Sequence, residues 1–166
     1  MKRILDPLQV VRNADRLVEI YDGWPHFHDS EVIEIRLARS GEDEYDGPNL
    51  WIQFHLFRGR VDETTSSGFA WYDHHMATLR FGQVRDLELR GFNRQNAIYD
   101  LELKEGPSHP ETPRSPTIQV NVVQSFGIGA SFLCSEIEVT SVVPGIPPFS
   151  VYTDGTPRSG DGKRGV

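Results

Sequence analysis

The chain has 166 residues with 37% hydrophobic and 10% aromatic side chains, which suits one folded domain and excludes a wholly disordered chain. The 24 acidic residues exceed the 17 basic ones, and the net charge of -7 argues against a nucleic-acid-binding protein and against docking on an anionic membrane. A basic partner is the electrostatic complement of such a chain. The single cysteine, Cys134, excludes intramolecular disulfides and four-cysteine zinc sites, and its apolar neighbours indicate a buried, inert thiol.

The sequence also indicates the compartment. It contains no run of about 18 apolar residues that could form a membrane-spanning helix. Residues 1–7 lack the apolar core and the small-residue cleavage site of a secretory signal. We therefore expect a cytoplasmic protein without membrane association.

The first predicted element is a helix over residues 8–21, where apolar side chains recur at the spacing of one helical face. Asp6 is a suitable N-cap and Pro7 suits the first turn. Gly23 and Pro25 end the helix.

From Ser30 onward apolar and polar residues alternate, which is the pattern of half-buried strands. The alternation covers residues 32–39, 50–57, 75–90, 98–103, 118–123 and 130–143, with a slip at residues 82–83. Short turns join these segments, and short connections require antiparallel pairing. The sequence thus predicts an α+β domain, with one N-terminal helix packed on a mostly antiparallel sheet of six or seven strands.

The predicted domain covers residues 1–144. Prolines and glycine at residues 144–148 stop the last strand, and the residues that follow are too polar and glycine-rich to order themselves. We predict a flexible tail over residues 145–166.

The densest polar group lies between the helix and the first strand, in the segment Trp24-Pro25-His26-Phe27-His28-Asp29-Ser30-Glu31. The favoured interpretation is structural. Trp24 and Phe27 would pin this corner into the core, while His28 and Asp29 would satisfy backbone groups there.

The alternative interpretation of the same segment is a metal site. On a strand, His26 and His28 would point to one face and could share a metal, with an oxygen ligand from Asp29 or Glu31. His74 or the adjacent His75 could supply a third nitrogen. No standard spacing such as HExxH supports this set, and a metal-dependent enzyme using His26, His28 and Asp29 stays the rival hypothesis.

A polar turn over residues 91–96 contains Asn93 and Asn96, which suit the left-handed conformations that turns need. Its backbone amides could also bind a ligand, but turn formation explains these residues without one. Phosphate-binding and nucleophile-elbow motifs are absent from the sequence, and we expect no cofactor.

The segment after the predicted helix resembles the WPxFHDxEV signature of the immunity protein 50 family of bacterial polymorphic toxin systems. The matching residues are Trp24, Pro25, Phe27, His28, Asp29, Glu31 and Val32, with Ser30 where alanine is expected. Weaker similarities lie at residues 78–81, 86–89, 91–96 and 137–139, so the resemblance covers about residues 8–143. The loop at 106–116 and the tail look like local additions.

The resemblance implies a small cytoplasmic protein that binds and neutralises a cognate toxin, without catalytic residues. An acidic immunity protein would suit a basic toxin, because complementary charge speeds encounter. The residues expected to bind this partner are the acidic turn Glu42, Asp43, Glu44 and Asp46, with Trp71 and Tyr72 in the neighbouring loop. The acids would steer the partner and the aromatic side chains would anchor it.

Overall fold

Nine strands and two short helices make up the part of the chain that the computed structural model describes, residues 3–41, 46–108 and 117–153. The helices are α1 (Pro7–Val10) and α2 (Asp15–Tyr21). The strands are β1 (Val11–Arg12), β2 (Glu31–Ala38), β3 (Asn49–Val61), β4 (Phe69–Gly82), β5 (Arg85–Arg90), β6 (Ala97–Glu105), β7 (Ile118–Phe126), β8 (Gly129–Cys134) and β9 (Glu136–Pro144).

The prediction of a single helix over residues 8–21 is wrong. This segment forms the two helices α1 and α2, and strand β1 lies between them. The backbone amide of Leu8 donates to Asp6 Oδ1 at 3.0 Å, so Asp6 is the N-cap as predicted. Val11 and Arg12 then pair in parallel with β9, and Asn13 turns the chain with a φ of 58°. Pairing with a distant strand overrides the local helical pattern.

The predicted six or seven strands are also too few. The segment 75–90 is two strands, β4 and β5, with Gln83 at a φ of 56° between them. The segment 130–143 is likewise β8 and β9, and Ser135 lies between these two strands. In both places the alternation continues across a corner where the chain changes neighbours, so periodicity alone does not reveal the break.

The strands form one sheet in the order β1-β9-β4-β3-β2-β6-β7-β8-β5, and its pairs are antiparallel except for β1 with β9. Phe81 on β4 and Phe132 on β8 are five places apart in this order, which is roughly 24 Å in a flat sheet. Their ring centroids are only 5.0 Å apart. The sheet therefore curls until its two halves face each other across the core.

The core fills the inside of this curl. Leu17 of α2 is fully buried, and Phe27 packs edge-on against Phe54 of β3 with ring centroids 5.1 Å apart. Cys134 is buried, and burial raises the pKa of its thiol to about 12, as expected of an inert thiol. The largest fully buried side chains are Phe27, Phe54, Phe81, Phe132, Leu17, Leu50, Ile52, Leu56, Leu79, Ile98, Ile128 and Ile137.

Neither helix in residues 3–41, 46–108 and 117–153 has the length and apolar character that membrane crossing requires.

Candidate functional site

A buried polar network lies on the outer face of the sheet and joins three strands to the segment that follows β9. His55 Nδ1 is 2.8 Å from Glu31 Oε2, and the two side chains are 0% and 7% exposed. His55 Nε2 lies 3.0 Å from Nδ1 of His74. Ser150 donates its hydroxyl hydrogen to Glu31 Oε2 and is itself only 3% exposed. We call these four residues, Glu31, His55, His74 and Ser150, the polar network.

Strand alternation places His55 in this network. Phe54 and Leu56 on either side of it point into the core, so the side chain of His55 points to the outer face of the sheet. Glu31 of β2 pairs directly with His55 of β3, which brings the two side chains together. The C-terminal segment covers them through Ser150, so a polar pair on the outer face is buried as deeply as the core.

The hydrogen bonds of the network decide the charge of Glu31. Burial by itself raises the pKa of this carboxyl, but hydrogen bonds from His55 and Ser150, the attraction of His55 and a hydrogen bond from the backbone of Val151 outweigh burial. The pKa of Glu31 therefore lies below its ordinary value of 4.5. At neutral pH the carboxylate is ionised, and the Nδ1–H of His55 donates to it.

The order of the groups is not that of a catalytic triad. In a triad the histidine lies between the acid and the nucleophile and accepts the proton of the hydroxyl. Here the hydroxyl of Ser150 donates to Oε2 of Glu31, which is the same carboxylate oxygen that His55 Nδ1 contacts. The arrangement holds the C-terminal segment on the sheet.

Aromatic side chains fix the same segment at a second point. Tyr152 stacks on Phe57 with ring centroids 4.5 Å apart, and Trp71 meets the rings of both residues edge-on at 5.2 and 5.3 Å. Phe69 stacks on Trp71 at 5.9 Å. These four residues, Phe57, Phe69, Trp71 and Tyr152, form the aromatic cluster. Burial and the nearby charges of Asp29 and Glu31 raise the pKa of Tyr152 to about 12, so its phenol is neutral at physiological pH.

Residues 145–153 of the predicted tail thus lie on the sheet, held by Ser150 and Tyr152. The other residues of that prediction, 154–166, lie outside the described part of the chain. Sequence reasoning singled out neither Ser150 nor Tyr152. The sequence signal for a packed C-terminal segment is weak. It consists only of the apolar and aromatic side chains that stand beside the prolines in residues 146–152.

Gly59 on β3 makes room for Trp71, its partner on β4. A Cβ atom at Gly59 would lie 2.5 Å from Cζ3 of Trp71, so the ring would have to move. We expect Gly59→Ala to lower the free energy of unfolding by roughly 2 kcal/mol, a cost typical of overpacking. Urea denaturation measures this loss. The same change in a Trp71→Ala background is the control, and an equal loss there would show that the ring is not the cause.

The outward side of the C-terminal segment is apolar. Phe149 and Val151 are 76% and 58% exposed, and Phe126 at the end of β7 is 55% exposed. Beside them lies the guanidinium of Arg94, with its Cζ 6.0 Å from the ring centroid of Phe149. We call these four residues, Arg94, Phe126, Phe149 and Val151, the Phe149 surface. They line a groove of about 490 Å³, together with Glu31, Asn93 and Gln95.

The backbone at Phe149 is strained. Its φ of 66° is in the left-handed region, which a bulky side chain rarely adopts. Such a conformation costs on the order of 1–3 kcal/mol and persists only where the surroundings impose it. Here Pro147 and Pro148 restrict the chain before Phe149, and Ser150 is tied to the polar network after it. The backbone that carries the exposed ring of Phe149 is therefore constrained on both sides.

The residues of the sequence signature lie at a corner between α2 and β2. Trp24 packs on Phe27 with ring centroids 5.7 Å apart, and Pro25 is buried. His28 is exposed, with Nδ1 3.0 Å from Asp29 Oδ2 and its ring against Tyr99. Of the signature residues Trp24, Pro25, Phe27, His28, Asp29 and Glu31, only Glu31 belongs to the polar network.

The structure places the candidate metal ligands in different surroundings. His26 is exposed and lines a cavity with Trp24, while His28 contacts Asp29 and His74 contacts His55. Across residues 3–41, 46–108 and 117–153, no three or more His, Cys, Asp or Glu side chains form a group that could hold a metal ion. The rival metal hypothesis gains no support from this part of the chain.

The three described members of the predicted partner-binding set, Asp46, Trp71 and Tyr72, have different neighbours. Trp71 belongs to the aromatic cluster, whereas Tyr72 lies beside Arg60, with 5.5 Å between the guanidinium carbon and the ring centroid. Asp46 Oδ1 lies 3.4 Å from Arg80 Nη1. The other predicted acids, Glu42, Asp43 and Glu44, lie outside the described residues.

The fold and the site together define a β-sheet domain that presents an exposed apolar surface beside a buried polar network. A comparison with protein-family models matches residues 13–145, most of the chain, to immunity protein 50. The chain therefore belongs to the immunity protein 50 family, which confirms the resemblance predicted from its signature. Searches of curated proteins and of solved structures found no match.

Proposed function

We propose that this protein binds a cognate bacterial toxin in the cytoplasm and neutralises it by forming a complex. Membership of the immunity protein 50 family supports an immunity function. The observation that carries the binding mechanism is the Phe149 surface, where an exposed aromatic side chain is held at a strained φ of 66°. Strain of this kind concentrates at functional positions, and exposed apolar patches mark contact surfaces.

Phe149 would be the anchor of this complex. Aromatic residues held rigidly at the centre of an interface contribute most of the binding energy, because little side-chain freedom is lost on binding. A stable complex buries about 800 Å² on each partner, so the interface extends beyond the Phe149 surface. Phe92, two residues before Arg94, is another exposed apolar side chain, with 49% of its surface accessible.

Neutralisation in this proposal requires no chemistry from the immunity protein. The hydroxyl of Ser150 donates to Glu31, so the polar network does not have the order of a catalytic triad. The network instead supports binding, since it holds the segment that carries Phe149. A toxin whose active site or adjacent surface is covered by this segment would be inhibited by occlusion alone.

Co-expression with the toxin domain encoded beside this gene tests the proposal. We expect the immunity protein to restore growth and to be recovered in a stable complex with the toxin. Rescue without a complex would contradict binding as the mechanism and would favour enzymatic detoxification. Absence of both rescue and complex would contradict the immunity function for that toxin.

The acidic turn is proposed to steer a basic toxin toward the protein. We expect replacement of Glu42, Asp43, Glu44 and Asp46 by lysine to slow association roughly tenfold, because complementary charges raise the rate of encounter. Stopped-flow association at low salt measures this rate. The difference should shrink at 0.5 M salt, where charges are screened beyond about 4–5 Å. An unchanged rate at low salt would remove the turn from the steering surface.

A further inference from the structure

We propose that Arg94 selects the toxin by binding a carboxylate of an extended toxin segment whose neighbouring apolar side chain packs on Phe149. This inference rests on the proposed function and names the chemistry of the partner at that site. It assigns a role to the polar turn of residues 91–96, which turn formation alone had explained.

The turn that carries Arg94 is rigid. The side chain of Asn96, 5% exposed, accepts from the backbone amide of Asn93 and donates to its carbonyl, both at 2.8 Å. It also donates to the carbonyl of Val32 on β2 at 3.3 Å, which ties the turn to the sheet. These bonds place Arg94 before any partner arrives, so little backbone entropy is lost on binding.

Two glycines, Gly91 and Gly127, allow the backbone of this turn to lie close to the loop after β7. Gly91 has a φ of 67°, and a Cβ there would lie 2.2 Å from the carbonyl oxygen of Gly127. Gly127 has a φ of 86°, and a Cβ there would lie 2.4 Å from the carbonyl oxygen of Gln95. The close approach brings Phe126, beside Gly127, into the groove with Arg94.

The positive charge of Arg94 is not paired with an acidic side chain of the described residues. Within residues 3–41, 46–108 and 117–153 it makes no ion pair, whereas Arg12, Arg58 and Arg80 each contact at least two acidic side chains. Its guanidinium is exposed and lies beside the ring of Phe149 at the edge of the groove. Such a position favours a bidentate, charge-assisted hydrogen bond to a carboxylate.

The groove is suited to an extended peptide. Its volume of about 490 Å³ is within the range of clefts that bury ligands. Phe126, Phe149 and Val151 supply apolar contact, while Asn93 and Gln95 supply polar groups along the same groove. Glu31 also lines the groove, and its carboxylate is already hydrogen-bonded to His55 and Ser150. A toxin segment with an acidic residue next to an apolar residue would match this surface. The acidic residue would bind Arg94, and the apolar residue would pack on the exposed apolar side chains.

A local acidic contact is compatible with a toxin that is basic overall. Long-range attraction depends on net charge and acts on the association rate, whereas a desolvated pair at the centre of an interface acts on dissociation. The acidic turn and Arg94 would therefore affect different rate constants. The role of Arg94 can therefore be tested through the dissociation rate, separately from the effect of the acidic turn on the association rate.

The test compares two charge reversals with a purified, catalytically inactive domain of the toxin encoded beside the gene. Arg94→Glu should weaken binding by at least tenfold through faster dissociation, the effect of a lost charged contact. Arg3→Glu is the matched control and should change affinity less than twofold. Arg3 is also an exposed arginine without an ion pair among the described residues. It lies beside Glu105, at the opposite end of β6 from the turn.

A second step identifies the partner group. Toxin variants selected for binding to the Arg94→Glu protein should carry lysine or arginine in place of an acidic residue. Equal affinities of Arg94→Glu and Arg3→Glu, with tight binding of the original protein, would overturn the role of Arg94 and leave the proposed function standing. Failure of the original protein to bind the toxin would overturn both. Urea midpoints of the two variants should agree, which separates lost contact from lost folding.

Discussion

Replacement of Glu31 by alanine is expected to lower the free energy of unfolding by about 3 kcal/mol, because removal of one partner from a buried, hydrogen-bonded pair leaves the other unsatisfied. Glu31 accepts from both His55 and Ser150, so the change removes a hydrogen-bond partner from the C-terminal segment as well as from the histidine. Urea denaturation at pH 7 measures the loss. Glu34→Ala, on the same strand but exposed, is the control and should change stability by less than about 0.5 kcal/mol. Equal losses in the two variants would contradict a special role for the network.

The Glu31 carboxylate also makes the free energy of unfolding depend on pH, and the direction of that dependence follows from its pKa. The pKa of Glu31 is lower in the folded protein than its ordinary value of 4.5. Its contribution to stability is therefore fully present above about pH 4.5 and is lost as the pH falls through the folded-state pKa. The stability difference between the natural protein and Glu31→Gln should therefore shrink as the pH falls below about 4.5. A constant difference down to about pH 3 would show that the carboxylate does not carry the effect.

Truncation of Phe149 is expected to have the largest effect on binding. Loss of a central aromatic anchor costs about 2 kcal/mol of binding energy or more, which is roughly a thirtyfold rise in the dissociation constant. Phe149→Ala should leave the unfolding free energy nearly unchanged, since the side chain is 76% exposed. Titration calorimetry with the inactive toxin domain measures the affinity. Leu37→Ala, which alters an apolar side chain 55% exposed on β2, is the control.

An unchanged affinity of Phe149→Ala would place the interface elsewhere. A loss of affinity in Glu31→Ala alongside Phe149→Ala would link the two predictions, because Glu31 and Ser150 hold the backbone that presents the ring. In that case, the buried network would act on binding through position and not through contact. Restoration of affinity in Glu31→Gln, which keeps the shape of the side chain, would support the same relation.

The sequence alone determined the features that depend on local order. Alternation predicted a strand-rich body, and the capping of α1 by Asp6 followed from residue types at neighbouring positions. The signature beginning at Trp24 predicted the family, which the match over residues 13–145 confirmed. It also contained Glu31, although sequence reasoning assigned that residue to the corner or to a metal and not to an anchor for the C-terminal segment.

Tertiary structure decided the features that depend on distant partners. The predicted helix breaks at Val11 because β9, more than a hundred residues later, offers a pairing edge. His55 occupies an outward position on its strand, and its burial depends on Ser150, 95 residues away. The same contact holds Phe149 outward. Periodicity records which face a side chain occupies, but only the curl of the sheet and the return of the C-terminal segment decide whether that face meets water.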